Sequence, residues 1–137
     1  MNNKSIIFYE NRIIIALAET IAGNDKIYEW LLNNGYPELA AFSSAIRGST
    51  QANDWLLKNG YPELSALDYA IDNDDKARGW LLKFGFDIEV MLVDCCNDKN
   101  DARKLLLENG YINIINLADK INLFRNNQEF DYHKKRF

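Results

Sequence analysis

The sequence predicts an all-α protein, an α-α superhelix (solenoid) of about five helix–turn–helix repeats, each 25 residues long. Two observations predict this class. Segments 30–54 and 55–79 are identical at 13 of 25 positions without a gap. Each segment also contains two stretches in which apolar residues recur at helical spacing. Because two short helices cannot bury their apolar faces alone, neighbouring repeats must stack around a shared core.

Three sets of equivalent positions, which we call columns, define the repeat. The tryptophan column is Trp30, Trp55, Trp80 and Leu105. The glycine column is Gly35, Gly60, Gly85 and Gly110. The central column is Leu17, Phe42, Leu67, Leu92 and Leu117. A single domain spanning 1–137 is therefore predicted, with these repeats: 5–29, 30–54, 55–79, 80–104 and 105–129.

The first helix of a repeat is predicted at Pro62–Ile71 and at the equivalent positions. Leu64 and Leu67 lie on one face of it. Pro62 suits the first helical position, where the missing N–H costs nothing, and Glu63 beside it favours the positive end of the helix dipole.

The second helix is predicted from about Asp74 to Phe84, and it ends where Gly85 can adopt the left-handed conformation. Its candidate N-caps in successive repeats are Ser49, Asp74 and Asp98. The residues predicted to face inward are Ala77, Trp80, Leu81 and Phe84. The tryptophans could instead form a stacking platform, but their position beside repeated Leu-Leu pairs favours a core or inter-repeat ladder.

The polar segment 126–137 follows the last complete pattern. Glu129 and Asp131 come early in it and the basic residues come late, which is the order that a helix dipole favours. This order predicts a C-terminal capping helix in which Phe130 is in phase with the tryptophan column. The alternative is a disordered basic tail.

Composition restricts the possible partners and the compartment. The chain has 20 acidic and 16 basic residues, so it lacks the clustered positive charge that nucleic acid requires. Apolar runs near the N-terminus are interrupted by Glu10, Asn11 and Arg12, unlike a signal peptide. No run is long enough to span a bilayer. We expect a cytoplasmic protein that does not enter membranes.

The sequence contains no pattern that predicts catalysis, a metal site or a cofactor. His133 is the only histidine, far along the chain from Cys95 and Cys96. A Cys–His nucleophilic pair would need these residues to be adjacent in space, and no Cys/His spacing matches a zinc site. The two cysteines fall in helix-packing columns. The acidic residues at 72–75 lack the glycine and glutamate of a calcium loop and are interpreted as turn and cap residues. We therefore expect a protein that is not an enzyme.

Binding residues are expected in columns that vary while the scaffold repeats. One such column is Glu19, Ser44, Tyr69, Asp94 and Asp119, and a second is Ala22, Arg47, Asp72, Asn97 and Asn122. The predicted partner-binding residues are Ser44, Arg47, Tyr69, Asp72, Asp94 and Asn97. If the first helices line a concave side, these residues form the floor of a groove. Tyr69 is the best single anchor because tyrosine offers a large, rigid contact area. The alternative is that these residues are simply solvated.

Segment 55–85, WLLKNGYPELSALDYAIDNDDKARGWLLKFG, resembles known short αα repeats. Its Pro-Glu-Leu stretch at 62–64, followed by Asp72, Asp74 and Arg78, is similar to the leucine-rich-repeat-variant family. Leu105–Gly110 is similar to the second helix of an ankyrin repeat, but this repeat is too short for the ankyrin β-hairpin. HEAT-like helix pairs are also similar. The resemblance implies a surface that binds another macromolecule, most often a protein.

The expected function is therefore a non-enzymatic protein–protein interaction module or adaptor. Asp72, Asp94 and Asp119 favour a partner with a basic surface. The alternative is a nucleic-acid-binding HEAT-like solenoid that uses Arg47 and the basic C-terminus, which the acidic balance disfavours. A monomer or a weak homo-oligomer is expected.

Overall fold

A computed structural model describes the backbone of residues 5–135 and the side chains of residues 5–127. A 3₁₀ turn at Ile6–Phe8 precedes the helices. Within the described backbone the helices are α1 (Asn11–Ile21), α2 (Asp25–Asn33), α3 (Pro37–Ile46), α4 (Thr50–Lys58), α5 (Pro62–Ile71), α6 (Asp75–Lys83), α7 (Asp87–Cys96), α8 (Asn100–Glu108) and α9 (Ile112–Lys135). This part of the chain contains no strand, so the predicted all-α class is confirmed.

The predicted helix boundaries within the repeat are confirmed. Pro37 and Pro62 occupy the first positions of α3 and α5. All four residues of the glycine column have positive φ, between 79° and 92°. After Gly35, the backbone N–H of Tyr36 donates to the carbonyl of Leu31 at 2.9 Å. This bond satisfies a carbonyl that the helix end would otherwise leave unpaired.

The turn from a first helix to a second helix requires one left-handed residue followed by an N-cap. The left-handed residues are Gly23, Gly48, Asn73 and Asp98. The Ser49 and Asp74 side chains accept hydrogen bonds as N-caps, as predicted. The prediction for Asp98 is wrong, because Asp98 takes the left-handed position and Lys99 is the cap residue, without a side-chain bond.

The last repeat has no such turn. Leu123 stands where the other repeats have Gly, Asn or Asp, and a branched side chain disfavours positive φ. The helix therefore continues without a break as α9, and 126–135 is not a separate helix. The side chains of Phe130 and His133 lie outside the described part of the chain.

Five helices form the inner ring: α1, α3, α5, α7 and α9. Each packs against the next in chain order, and α9 also packs against α1. The α1–α9 contact is the most extensive between any two described helices. The stack of repeats is therefore closed on itself, so its ends cover each other.

The central column explains how the ring is filled. All five of its side chains are 0% exposed. Buried apolar side chains from every inner helix belong to the same cluster. The inner helices consequently leave no open concave groove between the residues that the structure describes.

The N-terminal segment lies across one end of the ring. The Ile6 backbone N–H donates to Glu89 Oε2 on α7 at 2.7 Å, and Ser5 Oγ donates to Glu89 Oε1 at 3.1 Å. Tyr9 Oη donates to Glu38 Oε2 on α3 at 2.6 Å. Glu38 and Glu89 are both buried, so these bonds satisfy carboxylates at the first turns of two inner helices.

A matched pair of glycines tests the turn geometry. Gly48 has φ +106° with open space where a Cβ atom would lie, whereas Gly79 lies inside α6 at an ordinary φ. We expect Gly48→Ala to destabilise the fold by roughly 1–2 kcal/mol through backbone strain. Gly79→Ala should stabilise it by about 0.5–1 kcal/mol through helix propensity. Urea unfolding of both variants measures the two effects, and equal effects would contradict this account of the turn.

Candidate functional site

Four outer helices surround the inner ring: α2, α4, α6 and α8. Each packs against the inner helix of its own repeat and against the inner helix of the next repeat. Outer helices do not pack extensively on one another. Grooves therefore separate them, and we name these the first groove (between α2 and α4), the middle groove (between α4 and α6) and the third groove (between α6 and α8).

The first predicted binding column lies along these grooves. Asp94 on α7 accepts hydrogen bonds from Arg78 on α6 at 2.9 and 2.8 Å, and Lys99 at the start of α8 lies 3.6 Å away. Asp94 thus lies between two outer helices. Ser44 is placed equivalently, since its Oγ donates to Tyr28 Oη on α2 at 3.1 Å. The repeat places Tyr69 correspondingly in the middle groove.

The two aspartates of this column are held in ion pairs within the protein. Arg78 binds Asp94 through two hydrogen bonds, and this partly buried pair lowers the pKa of Asp94. Arg103 binds Asp119 in the same way, at 2.8 and 3.2 Å. These ion pairs join an outer helix to the next inner helix, so a partner that used either carboxylate would have to compete with an internal arginine.

Tyr69 differs from these aspartates. Its side chain is 44% exposed, and no hydrogen bond or ring contact to another described residue is found for it. Asp68, which precedes Tyr69 on α5, belongs to a buried polar network that joins α4 and α5: Asn53 Nδ2 donates to Asp68 Oδ2 at 2.7 Å, and Ser65 Oγ donates to Asn53 Oδ1 at 2.6 Å. Tyr69 is therefore an exposed aromatic side chain next to a hydrogen-bonded contact between two helices.

The second predicted column lies at the C-terminal ends of the inner helices. Arg47 Nη1 donates to the Ile21 carbonyl at 2.9 Å, and its guanidinium lies 4.7 Å from the centre of the Phe124 ring. Asn97 Nδ2 donates to the Val93 carbonyl at 3.0 Å. Asp72 caps the backbone end of α5 and is exposed.

The sequence predicts that the tryptophans are core residues or an inter-repeat ladder. Trp80 is partly buried and packs against the core, but for Trp30 and Trp55 the core interpretation is wrong. Trp30 and Trp55 are 43% and 37% exposed. Their rings stack on Tyr36 and Tyr61, each with centroids 6.2 Å apart, at the start of the next inner helix. The inward orientation predicted for Phe84 is also wrong, because Phe84 is exposed. The glycine turns after α2 and α4 bring each tryptophan ring next to the tyrosine ring that precedes the following inner helix.

Sequence reasoning missed a second exposed apolar set, the leucine column, whose side chains are 44–60% exposed: Leu32, Leu57, Leu82 and Leu107. The preceding leucine of each Leu-Leu pair is fully buried, as at Leu56 and Leu81. The pattern could have revealed this exposure. Adjacent helical residues point about 100° apart, so only one leucine of the pair can point straight at the core. The tryptophan-column residue and the second leucine flank the buried leucine and point about 200° apart.

The tryptophan and leucine columns consequently lie on opposite sides of every outer helix. Leu105 lines the same cleft of ≈ 510 Å³ as Asp94, which places the tryptophan column of α8 on the third groove. Trp80 is equivalent to Leu105 and Tyr69 is equivalent to Asp94. The repeat therefore places Trp80 on the α6 side of the middle groove and Leu57 on its α4 side, with Tyr69 between them.

The described residues offer little redox or metal chemistry. Cys95 and Cys96 are buried and unpaired by a disulfide, which agrees with their predicted packing role. Burial raises the pKa of both thiols, so neither is an activated nucleophile. Residues 5–127 hold no cluster of three metal-ligating side chains.

None of the described helices has the length and apolar character needed to cross a membrane.

No protein-family model, curated protein or solved structure matches this chain significantly.

The buried carboxyl group of Asp68 predicts that the stability of the protein depends on pH. Burial, with a smaller contribution from Asp72, raises the pKa of Asp68 to about 6. Since the folded state holds this proton more tightly than the unfolded chain, stability falls as pH rises from about 4 to about 6 and is then constant. Asp68→Asn keeps an acceptor for Asn53 and should remove this loss, making the variant roughly 1–3 kcal/mol more stable than wild type at pH 7.5.

Urea unfolding at pH 4.5 and pH 7.5 measures this difference. Asp54→Asn, at an exposed position of α4, controls for loss of one negative charge. Parallel pH profiles for Asp68→Asn and wild type would contradict the prediction.

Proposed function

We propose that this chain is a non-enzymatic module that binds another protein through its outer face, with the middle groove as the principal contact. The observation that supports this most is the repeated exposure of large apolar side chains. Exposed apolar side chains in a regular arrangement are characteristic of interaction surfaces, whereas isolated ones are ordinary. Here they recur on every outer helix.

The middle groove combines three features of an interface centre. Tyr69 supplies an exposed aromatic ring, and Trp80 and Leu57 supply apolar walls. Aromatic residues in partly enclosed positions dominate many protein interfaces. Asn53 on α4 donates a hydrogen bond to Asp68 on α5, and such a link between the helices reduces the entropy lost on binding.

Charge around the middle groove favours a basic partner. Asp72, Asp74 and Asp75 are exposed where α6 begins. None of them forms an ion pair with another described residue. Unpaired exposed carboxylates attract basic residues and accelerate association. We therefore infer a partner segment that places an apolar side chain in the groove beside lysine or arginine. This local charge also disfavours the nucleic-acid alternative.

The resemblance to leucine-rich-repeat-variant, HEAT-like and ankyrin helix pairs supports the same proposal, because such repeats commonly present binding surfaces. A cytoplasmic setting belongs to the proposal too. The two cysteines in the core form no disulfide with each other, which is compatible with a reducing compartment.

The proposal is tested by affinity capture from source lysate with quantitative mass spectrometry. Tyr69→Ala should reduce recovery of a specific protein at least several-fold, because it removes the central aromatic contact. Asp72→Lys should reduce it through charge repulsion, with a larger effect at low salt. The captured protein is then purified and its affinity for each variant is measured.

Ile15→Ala provides the matched control. Ile15 is also 44% exposed, but it lies on α1, outside the middle groove. It should leave capture unchanged. Equal recovery with Tyr69→Ala, Asp72→Lys and wild type would show that the middle groove is not the binding surface.

A further inference from the structure

The first groove contains a polar cleft that differs from the middle groove. Its volume is ≈ 300 Å³, and it lies where α2 and α4 begin. The residues that define its chemistry are Asp25, Tyr28, Ser43, Ser44, Arg47 and Ser49. Most of them carry a hydroxyl group, and one carries a guanidinium.

Ser43 is the unusual member of this cleft. The residue is 1% exposed. Its Oγ is the one buried side-chain nitrogen or oxygen, among the residues the structure describes, that lacks a hydrogen-bond partner. Buried hydroxyls are normally paired, because an unsatisfied one loses its hydration without compensation. An unpaired Ser43 in the wall of a cleft indicates that a ligand completes its bonding.

Most of the other polar groups have a free donor, whereas Thr20 Oγ1 donates to the Leu17 carbonyl and keeps only acceptor capacity. Ser44 Oγ and Tyr28 Oη share one hydrogen bond of 3.1 Å, so one of the two hydroxyl protons stays available to a ligand. Ser49 Oγ accepts from the Ala52 backbone N–H at 3.1 Å, which leaves its own proton available. Arg47 uses one N–H on the Ile21 carbonyl, and a guanidinium has further donors and no acceptor. These donors favour a ligand that offers acceptor oxygens.

Charge selects among such ligands. Arg47 supplies one positive charge, and the N-termini of α2 and α4 add partial positive charge. Asp25 supplies one negative charge nearby. This balance suits a monoanion better than a dianionic phosphate, which Asp25 would repel more strongly. We propose that the cleft binds a carboxylate group, held by Arg47 and by the hydroxyls of Tyr28 and Ser43.

The site is particular to the first groove. One repeat later, Asp68, Asp72 and Asp74 occupy the positions of Ser43, Arg47 and Ser49. Three carboxyl groups there would disfavour an anion. The proposed carboxylate site therefore does not follow from the repeat itself, and it does not depend on the protein-binding function proposed above.

The carboxylate can come from a small free molecule or from a peptide C-terminus. ¹H–¹⁵N correlation spectra of the full chain, at constant ionic strength, distinguish these sources with acetate and N-acetyl-L-alanine as probes. Both should produce saturable shifts at the amides of Ser43, Ser44 and Arg47. Tighter binding of N-acetyl-L-alanine assigns the site to a peptide C-terminus, and equal binding assigns it to small carboxylates. N-acetyl-L-alanine amide should produce no such shift.

Variants separate ligand binding from folding. Ser43→Ala and Arg47→Gln should each weaken binding about tenfold, the effect expected from one lost hydrogen bond to a charged group. Ser43→Ala should not lower Tm, because the free protein leaves this hydroxyl unpaired. Ser65→Ala is the control: it removes a buried serine that is hydrogen-bonded to Asn53, so it should lower Tm and leave binding unchanged.

Three results would overturn the proposal: no saturable shift with either carboxylate, tighter binding of inorganic phosphate than of acetate, or unchanged carboxylate affinity in both Ser43→Ala and Arg47→Gln.

Discussion

The packing of α1 against α9 is the contact on which the rest of the structure depends. Repeats that touch only their neighbours would leave the first and last inner helices with an exposed apolar face. In this chain those two faces cover each other. Closure also surrounds the central column completely, which explains why Leu17 and Leu117 are as fully buried as the members of the middle repeats.

Closure determines where a partner can bind. An open superhelix offers a concave inner surface, whereas the centre of this ring is filled by its own side chains. The concave surface that a partner can reach lies on the outside of the ring, in the grooves between the outer helices. These helices pack against the inner ring and have little contact with one another. A single column placed along these grooves has Ser44, Tyr69 and Asp94 in successive repeats. Variation in one column thus gives each groove a different chemistry on a common scaffold.

The sequence was sufficient to predict the elements of the central repeats, although not the unbroken helix of the last one. The glycine column, Pro62 and the N-caps Ser49 and Asp74 act through local backbone geometry, which the residue type largely determines. The periodicity likewise identified the fully buried residues Leu67 and Leu81.

Closure could not be predicted in this way, because it arises from the small rotation between successive repeats. The exposure of Trp55 was missed because its ring stacks on Tyr61 across the glycine turn, outside its own helix. Asp98 was misassigned by one position because aspartate suits both an N-cap and a left-handed residue. The predicted binding residues remain predictions, although the structure explains why Asp94, held by Arg78, and Tyr69 differ in availability.

Paramagnetic relaxation enhancement tests closure most directly. A nitroxide at Ile15→Cys, in a background of Cys95→Ala and Cys96→Val, would label the exposed side of α1. A closed ring predicts strong broadening of amides in the first part of α9. In an open stack, α1 and α9 would be separated by four inter-helix spacings, about 40 Å, and those amides would remain sharp. Sharp α9 signals in a folded, labelled protein would contradict the closed ring.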